Sequence, residues 1–493
     1  MVPRLPPVVS RRTAGGTYRV RRVVLAPGPI QGMRLFWHQR DLRLRDNVGL
    51  SAAARDDDVV PVYVYDTDLL ATVGKRQRAF FLRGVSRLRE AYREAGSDLL
   101  VRSGTPAEVL ADLADRYDAD AVYYNEHYRR RRRERQERAE AALADAGVET
   151  ADYIDLLLVS PGSLEERYPN HSQFYDDWQN VPKRAPMGTP DASALADVRA
   201  RKAIPTPDVD VDLPEAGYTA ARSRLERFCD EGIYTYNDTR DDLSRAVERP
   251  TQAVSRLSPY LAAGMIGIRE VWEAASEVHA SVHGDEARNV DKYRYELSWR
   301  EQNYHLLYNN QDLPRENYKS FSNEIAWRDD EEAFEAWKHG ETGYPLVDAG
   351  MRQLESEGYV HNRPRQVVAS FLTKHLLVDW RKGARHFTRK LVDHDYASNY
   401  GNWQWTASTG TDSVDVRIFD PVSQTSKYDA DADFVTKYVP ELRGVPADKI
   451  VDWPTLSRSE REDLAPDYPQ PIVDRNRGYE RAQRVFKEAL GKR

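Results

Sequence analysis

Two hydrophobic periods divide the chain. From Met33 onward, short apolar or β-branched runs at Arg34–Trp37, Val59–Tyr65, Asp98–Val101 and Ala121–Tyr124 alternate with stretches of helical period near Arg76–Ala95, Pro106–Tyr117 and Arg129–Ala146. Continuous apolar strands are buried on both faces. Alternating with helices, they predict an α/β domain over 33–160 with a doubly wound, Rossmann-like parallel sheet. Ligands of such sheets sit outside the carboxyl ends of the strands. After Ala221 the strand runs vanish and only helical period remains, which predicts an all-α domain over 221–480. Residues 161–220 are rich in Pro, Asp, Ala and Gly and read as an interdomain linker. Its aromatic island, Phe174–Trp178, is expected to pack a short helix onto one domain. Residues 1–32 carry Pro, Gly and Arg without a signal-peptide core and are expected to be a disordered extension.

Composition narrows the classes. The length of 493 residues suits two or three domains with their own cores. No apolar run approaches the roughly 20 residues a membrane helix needs, so no membrane partner is expected. Cys229 is the only cysteine, which excludes a disulfide framework and Cys-rich zinc sites, makes a reducing, cytoplasmic setting the default, and leaves no metal site in view. A net charge of −7 means that any binding to DNA must use a local basic patch. The Arg129–Arg138 run is a candidate, but its glutamates interleave at helical spacing and favour a solvated helix with i,i+4 pairs. No GxGxxG or GxxxxGK[ST] loop is present.

Candidate chemistry concentrates in the helical half. Ser258 followed by Pro259 reads as an N-cap and N1 pair, so a helix should begin there. Its free N–H groups would suit a pyrophosphate, although the residues by themselves favour an ordinary capped helix. Glu296 and Trp299, at i,i+3, share one helical face. The stretch His361–Pro421 then packs two helices, an acid pair (Asp393, Asp395), an Asn-rich turn and a Trp-Gln-Trp into one region.

These motifs, in this order, resemble the photolyase/cryptochrome family, and most closely its cyclobutane-dimer photolyase branch. The opening Trp37-His-Gln-Arg-Asp-Leu-Arg-Leu-Arg-Asp-Asn47 is similar to the family's W-x-R-R-D-L-R-x-x-D-N, with Gln39 in place of the first Arg of the pair. The resemblance implies FAD in the helical domain and a second, antenna chromophore (methenyltetrahydrofolate or 8-hydroxy-deazaflavin) with the α/β domain. Asn125 and Glu126 fall where folate-binding members make contacts.

It assigns Tyr236, Arg240, Ser255, Leu257 and Ser258 to the FAD phosphates and ribose, with Val254 where the family has Thr. Arg300 would hold the flavin, Arg365 would pair with Asp393, and Asp393 and Asp395 would meet the flavin edges. Asn399 would face the reactive N5. Glu296, Trp299, Asn362 and Trp405 would line the pocket for the dimer. Trp403, Trp380 and Trp327 would form an electron-transfer triad. Arg363 and Arg417 would contact DNA phosphates, and Gln366 stands beside the lesion where bacterial dimer photolyases carry Met.

The implied activity is light-driven splitting of cyclobutane pyrimidine dimers in UV-damaged DNA by a monomer, with excited reduced FAD as electron donor to a flipped-out dimer. Gln366 and the Ser398–Trp403 turn are shared with the single-strand-preferring DASH cryptochromes. A signalling photoreceptor and a (6-4) photolyase are the other readings. Retention of Glu296, Trp299 and Trp405 weighs against the first, and Gln366 at a position expected to be His weighs against the second.

Overall fold

The computed structural model describes residues 9–12, 18–21, 32–55, 58–412 and 415–492. Most of the expected N-terminal extension lies outside them. Within it, β1 (Val9–Arg12) and β2 (Tyr18–Arg21) pair antiparallel, where disorder was expected. Tyr18-Arg19-Val20-Arg21 alternates apolar and charged residues, the period a strand requires.

The apolar runs form one five-stranded parallel sheet. β3 (Met33–His38) is central, flanked by β4 (Val59–Tyr65) and β6 (Ala119–Asn125), with β5 (Leu100–Ser103) and β7 (Glu149–Tyr153) at the edges, in the order β5-β4-β3-β6-β7. β7 was not expected, because its sequence, Glu-Thr-Ala-Asp-Tyr, is a mostly half-exposed edge strand without an apolar run. The chain winds one way from β3 and then the other, so the topological switch point lies between β3 and β6, and the crevice at their carboxyl ends is the place for a ligand. Helices Lys75–Glu94, Pro106–Tyr117 and Arg130–Asp145 fall within a residue of their expected limits.

The linker is a fastened element rather than a free tether. Its helix His171–Asn180 buries Phe174 and Trp178 completely and packs on the 26-residue helix Gly284–Asn309. Farther on, Ala196 N–H donates to the Val59 carbonyl at 3.0 Å, and Ala200 N–H donates to Asp98 at 3.1 Å. The two domains are also pinned by a buried ion cluster. Arg269 of the helical half meets Asp46 at 2.6 Å and Asp155 at 2.7 Å, and Arg43 meets Asp155 at 2.7 Å. Removing one member would strand the others uncompensated, so the cluster fixes the relative orientation of the domains more than it adds net stability.

Candidate functional site

A cavity of about 1320 Å³, open to solvent, lies in the helical domain. Five helices supply its walls: Ser258–Ala263, Gly284–Asn309, Asn362–Ser370, Trp380–Lys390 and Tyr396–Thr406. Ser255, Leu257, Ser258, Glu296, Arg300, Asn362, Arg365, Gln366, Asp393, Asp395, Asn399, Trp403 and Trp405 all line it. Residues nearly 150 positions apart in the chain thus meet around one space.

Its charges are paired within the protein. Asp393 Oδ2 accepts from Arg365 Nη2 and from Ser258 Oγ, both at 2.7 Å, while its buried Oδ1 has no partner. Ser258 is therefore not the N-cap expected of it. The helix begins at Ser258 itself, and no side chain caps its first turn, so those N–H groups remain available to an acceptor. The supporting loop places Arg256 at φ +48, a left-handed conformation costly for a non-glycine residue.

Asp395 accepts from Arg40 Nη2 at 2.9 Å, from Ser398 N–H at 2.9 Å and from the Tyr304 hydroxyl. Burial works to raise its pKa. Arg40 and Arg300, together with those hydrogen bonds, outweigh burial and hold the carboxyl well below the usual carboxylate range. Asn399 donates its amide N–H to the Ala384 carbonyl at 3.1 Å and to Thr388 Oγ1 at 3.4 Å. A carbonyl cannot donate, so the amide orientation is fixed and Oδ1 is left as an acceptor.

Several residues stand differently from their expected places. Tyr236 and Arg240 do not line the cavity. Their short helix, Tyr236–Thr239, packs outside Gly284–Asn309, with the Tyr236 ring edge-on to Tyr293 at 5.2 Å. Arg240 instead ion-pairs with Glu296, whose Oε1 also meets Lys292 at 2.8 Å; neither contact uses Oε2. Arg363 does not reach outward for a phosphate. It pairs with Asp241 at 2.6 Å, lies over the Tyr428 ring at 4.2 Å and donates to Gln366 Oε1 at 2.7 Å. That last bond takes up Gln366 Oε1, and Gln366 lines the cavity.

Arg417 is bound to Asp412 at 2.6 and 3.0 Å and lies over the Trp405 ring at 4.8 Å. Trp299 is not among the lining residues; it stands edge-on to Trp405, 6.3 Å between centroids.

The three tryptophans of the expected triad share one hydrophobic cluster. Trp403 lines the cavity, Trp380 is fully buried in the same core cluster, and half-buried Trp327 packs against that cluster. Gly383 makes the approach possible, since a Cβ there would sit 2.2 Å from the Trp403 ring. Fully buried Trp337, which carries no sequence signal, lies 6.1 Å from Trp403.

A second, partly open cleft lies at the sheet's switch point, against the helical domain. Arg40, Arg78, Arg129, Arg132 and Arg135 line it, with Asp66 the only acid among its lining residues. The helix read as solvated thus turns Arg132 and Arg135 inward. Arg135 pairs with Asp66 at 2.8 Å, and among the described residues no hydrogen bond or ion pair occupies the Arg132 guanidinium. Asn125, by contrast, spends its side chain on Gly49 N–H, Asp41 and Asn47 and does not line this space. Ala262 and the Arg40–Asp395 pair lie between the two cavities.

A cofactor-sized cavity backed by buried tryptophans, joined to a cationic cleft at a doubly wound sheet, defines a two-site, cofactor-binding protein. The family model for the FAD binding domain of DNA photolyase matches residues 293–488, and that for DNA photolyase matches residues 34–193. A deoxyribodipyrimidine photo-lyase of Halobacterium salinarum is 44% identical over 93% of this chain and 100% of its own. Among solved structures, a class III photolyase from Agrobacterium tumefaciens superposes with a TM-score of 0.82 at 32% identity, covering 95% of this chain and 100% of its own. An archaeal photolyase from Sulfolobus tokodaii, described with two FAD molecules, gives 0.79 at 30% identity over 92% of this chain and 100% of its own. The chain belongs to the DNA photolyase family.

Proposed function

We propose that this protein is a light-driven lyase that splits cyclobutane pyrimidine dimers in UV-damaged DNA. One observation carries the reading: residues suited to a flavin (Ser258, Asp393, Arg365, Asn399) and residues suited to an extruded base pair (Glu296, Asn362, Gln366, Trp405) line the same cavity. FAD fits the donor set, because the unpartnered Asp393 Oδ1 and the uncapped first-turn N–H groups are free to bind it. Bound and reduced, the flavin supplies a light-driven electron to the dimer and recovers it when the ring has opened.

The chain's residues do the rest. Asn399 Oδ1, left free as an acceptor, would take a hydrogen bond from a protonated flavin ring nitrogen and so favour the reduced form. Glu296 Oε2 and the Gln366 amide present an acceptor and a donor to base edges. Trp405 offers an apolar face to bases taken out of the stack, a step that costs less for a poorly paired dimer. Trp403, Trp380 and Trp327 would relay electrons from the surface toward a bound flavin.

The cationic cleft, in our reading, holds the antenna. Folate, deazaflavin and a second FAD can all carry the negative charge that Arg132 would meet, and the absorption spectrum of the purified protein separates them. We take 33–160 as the antenna domain, 161–220 as the fastened connector and 221–480 as the catalytic domain of a cytoplasmic monomer. The test is repair of a thymine-dimer oligonucleotide, lit against dark, as single strand and as duplex. Light-dependent loss of dimers on duplex supports the reading. Repair of the single strand alone moves the protein to the DASH branch, and no repair with flavin bound makes it a photoreceptor.

A further inference from the structure

Trp299 is backed by a residue from outside the helical domain. His171 opens the connector helix His171–Asn180 and is almost fully buried. Its imidazole lies parallel to the Trp299 indole, 3.7 Å between centroids and 8° between planes. Both ring nitrogens are bound. Ser298 Oγ donates its only proton to the Tyr295 carbonyl at 2.7 Å, so toward His171 it can only accept, from Nε2–H at 2.9 Å. Nδ1 is then the acceptor and takes the Tyr295 hydroxyl proton at 2.9 Å. Two residues of the helix that carries Trp299 thereby fix the ring's tautomer and plane.

The consequence falls on the indole. One face of Trp299 is covered by His171, and Trp405 stands against it at 72°. We propose that His171 is a positioning residue for damaged-base recognition, locking Trp299 in the plane that buttresses Trp405, the aromatic wall of the cavity on which an extruded pyrimidine pair would rest. Without a backing ring, a half-exposed indole would sample several rotamers and have to be ordered on binding, a cost that preorganisation removes. A phenyl ring could stack but not bond to Tyr295 and Ser298, so histidine supplies both the platform and its orientation. The inference rests on the lesion-pocket reading above.

The test uses the full-length flavoprotein in the dark. It measures Kd for an oligonucleotide carrying one thymine dimer and for the same undamaged sequence, together with flavin content and the rate of flavin photoreduction. For His171→Ala the ratio of the two Kd values should fall about tenfold, with undamaged binding, flavin content and photoreduction unchanged. His171→Phe should fall between that variant and wild type, because it keeps the ring and loses its hydrogen bonds. If His171→Ala sheds flavin, His171→Phe carries the test by itself. A flavin-bound variant with wild-type discrimination overturns the positioning role. A wild-type protein that does not discriminate overturns the lesion-pocket reading and this inference with it.

Discussion

The two cavities share a wall but manage charge in opposite ways. The charged residues that line the helical cavity are each paired: Arg365 with Asp393, Glu296 with Arg240 and Lys292, Asp395 with Arg40, and Arg300 with Glu301. What remains to line its space is amide groups, a carboxylate oxygen and indole surface. Five arginines and one aspartate line the switch-point cleft, and among the described residues no hydrogen bond or ion pair holds the Arg132 guanidinium. Burial together with Arg40, Arg135 and Arg129 pushes the Arg132 pKa well down, a cost that a bound anion would relieve. The first site is built to hold flat, polar-edged rings and the second to attract negative charge. The two cavities therefore differ in the charge they present to a ligand.

The largest effect should come from breaking a paired charge. Asp393→Ala would leave Arg365 and Ser258 without their acceptor. Removing one partner of a buried pair costs about 3–5 kcal/mol, and less here because Arg365 is partly exposed. Flavin absorbance of the purified variant should collapse and its Tm should fall. Retention of full flavin would remove Asp393 from the cofactor site.

Trp403→Phe should keep flavin bound yet abolish its photoreduction, while chemically reduced protein still repairs. Photoreduction at the wild-type rate would move the electron path elsewhere, with Trp337 the first alternative. Glu296→Ala should lower the yield of dimer splitting about tenfold with flavin unchanged, because a hydrogen bond to a charged group is worth ~1.5–3 kcal/mol. Unchanged splitting would show that Glu296 does not touch the lesion.

The smallest effect is on stability and separates neither cavity from the other. Burial, first among the causes, pushes the pKa of His171 down to about 3 and those of His361 and His394 to about 4. Unfolded, each titrates near ~6.5. The folded state therefore binds fewer protons, and the stability these residues contribute is complete above ~6.5 and lost as pH falls toward ~4. Thermal melts across that window should show a falling Tm; a flat profile would mean that the imidazoles are more accessible than their burial implies.

Much of this was legible in the residues. Four strand runs and three helices of the α/β half follow from period alone, and the Arg365–Asp393 pair from family motifs. Three features were not. The Arg129–Arg138 run obeys the rule for a solvated helix, but its inward face borders a cleft, and one sequence period cannot tell solvent from a polar cavity. Arg363 has a surface residue's chemistry, yet Asp241, 122 positions away in sequence, claims it. Trp337 and Gly383 matter only because a ring packs against them, and ring contacts follow from tertiary packing rather than local pattern.

The most direct measurement is the action spectrum of dimer repair in wild type and in Arg132→Ala. If the two cavities hold a catalytic flavin and a separate antenna, wild type repairs in the flavin band and in a second band, and Arg132→Ala loses only the second. Loss of repair at every wavelength in Arg132→Ala, or absence of light-dependent repair in wild type, would contradict the account.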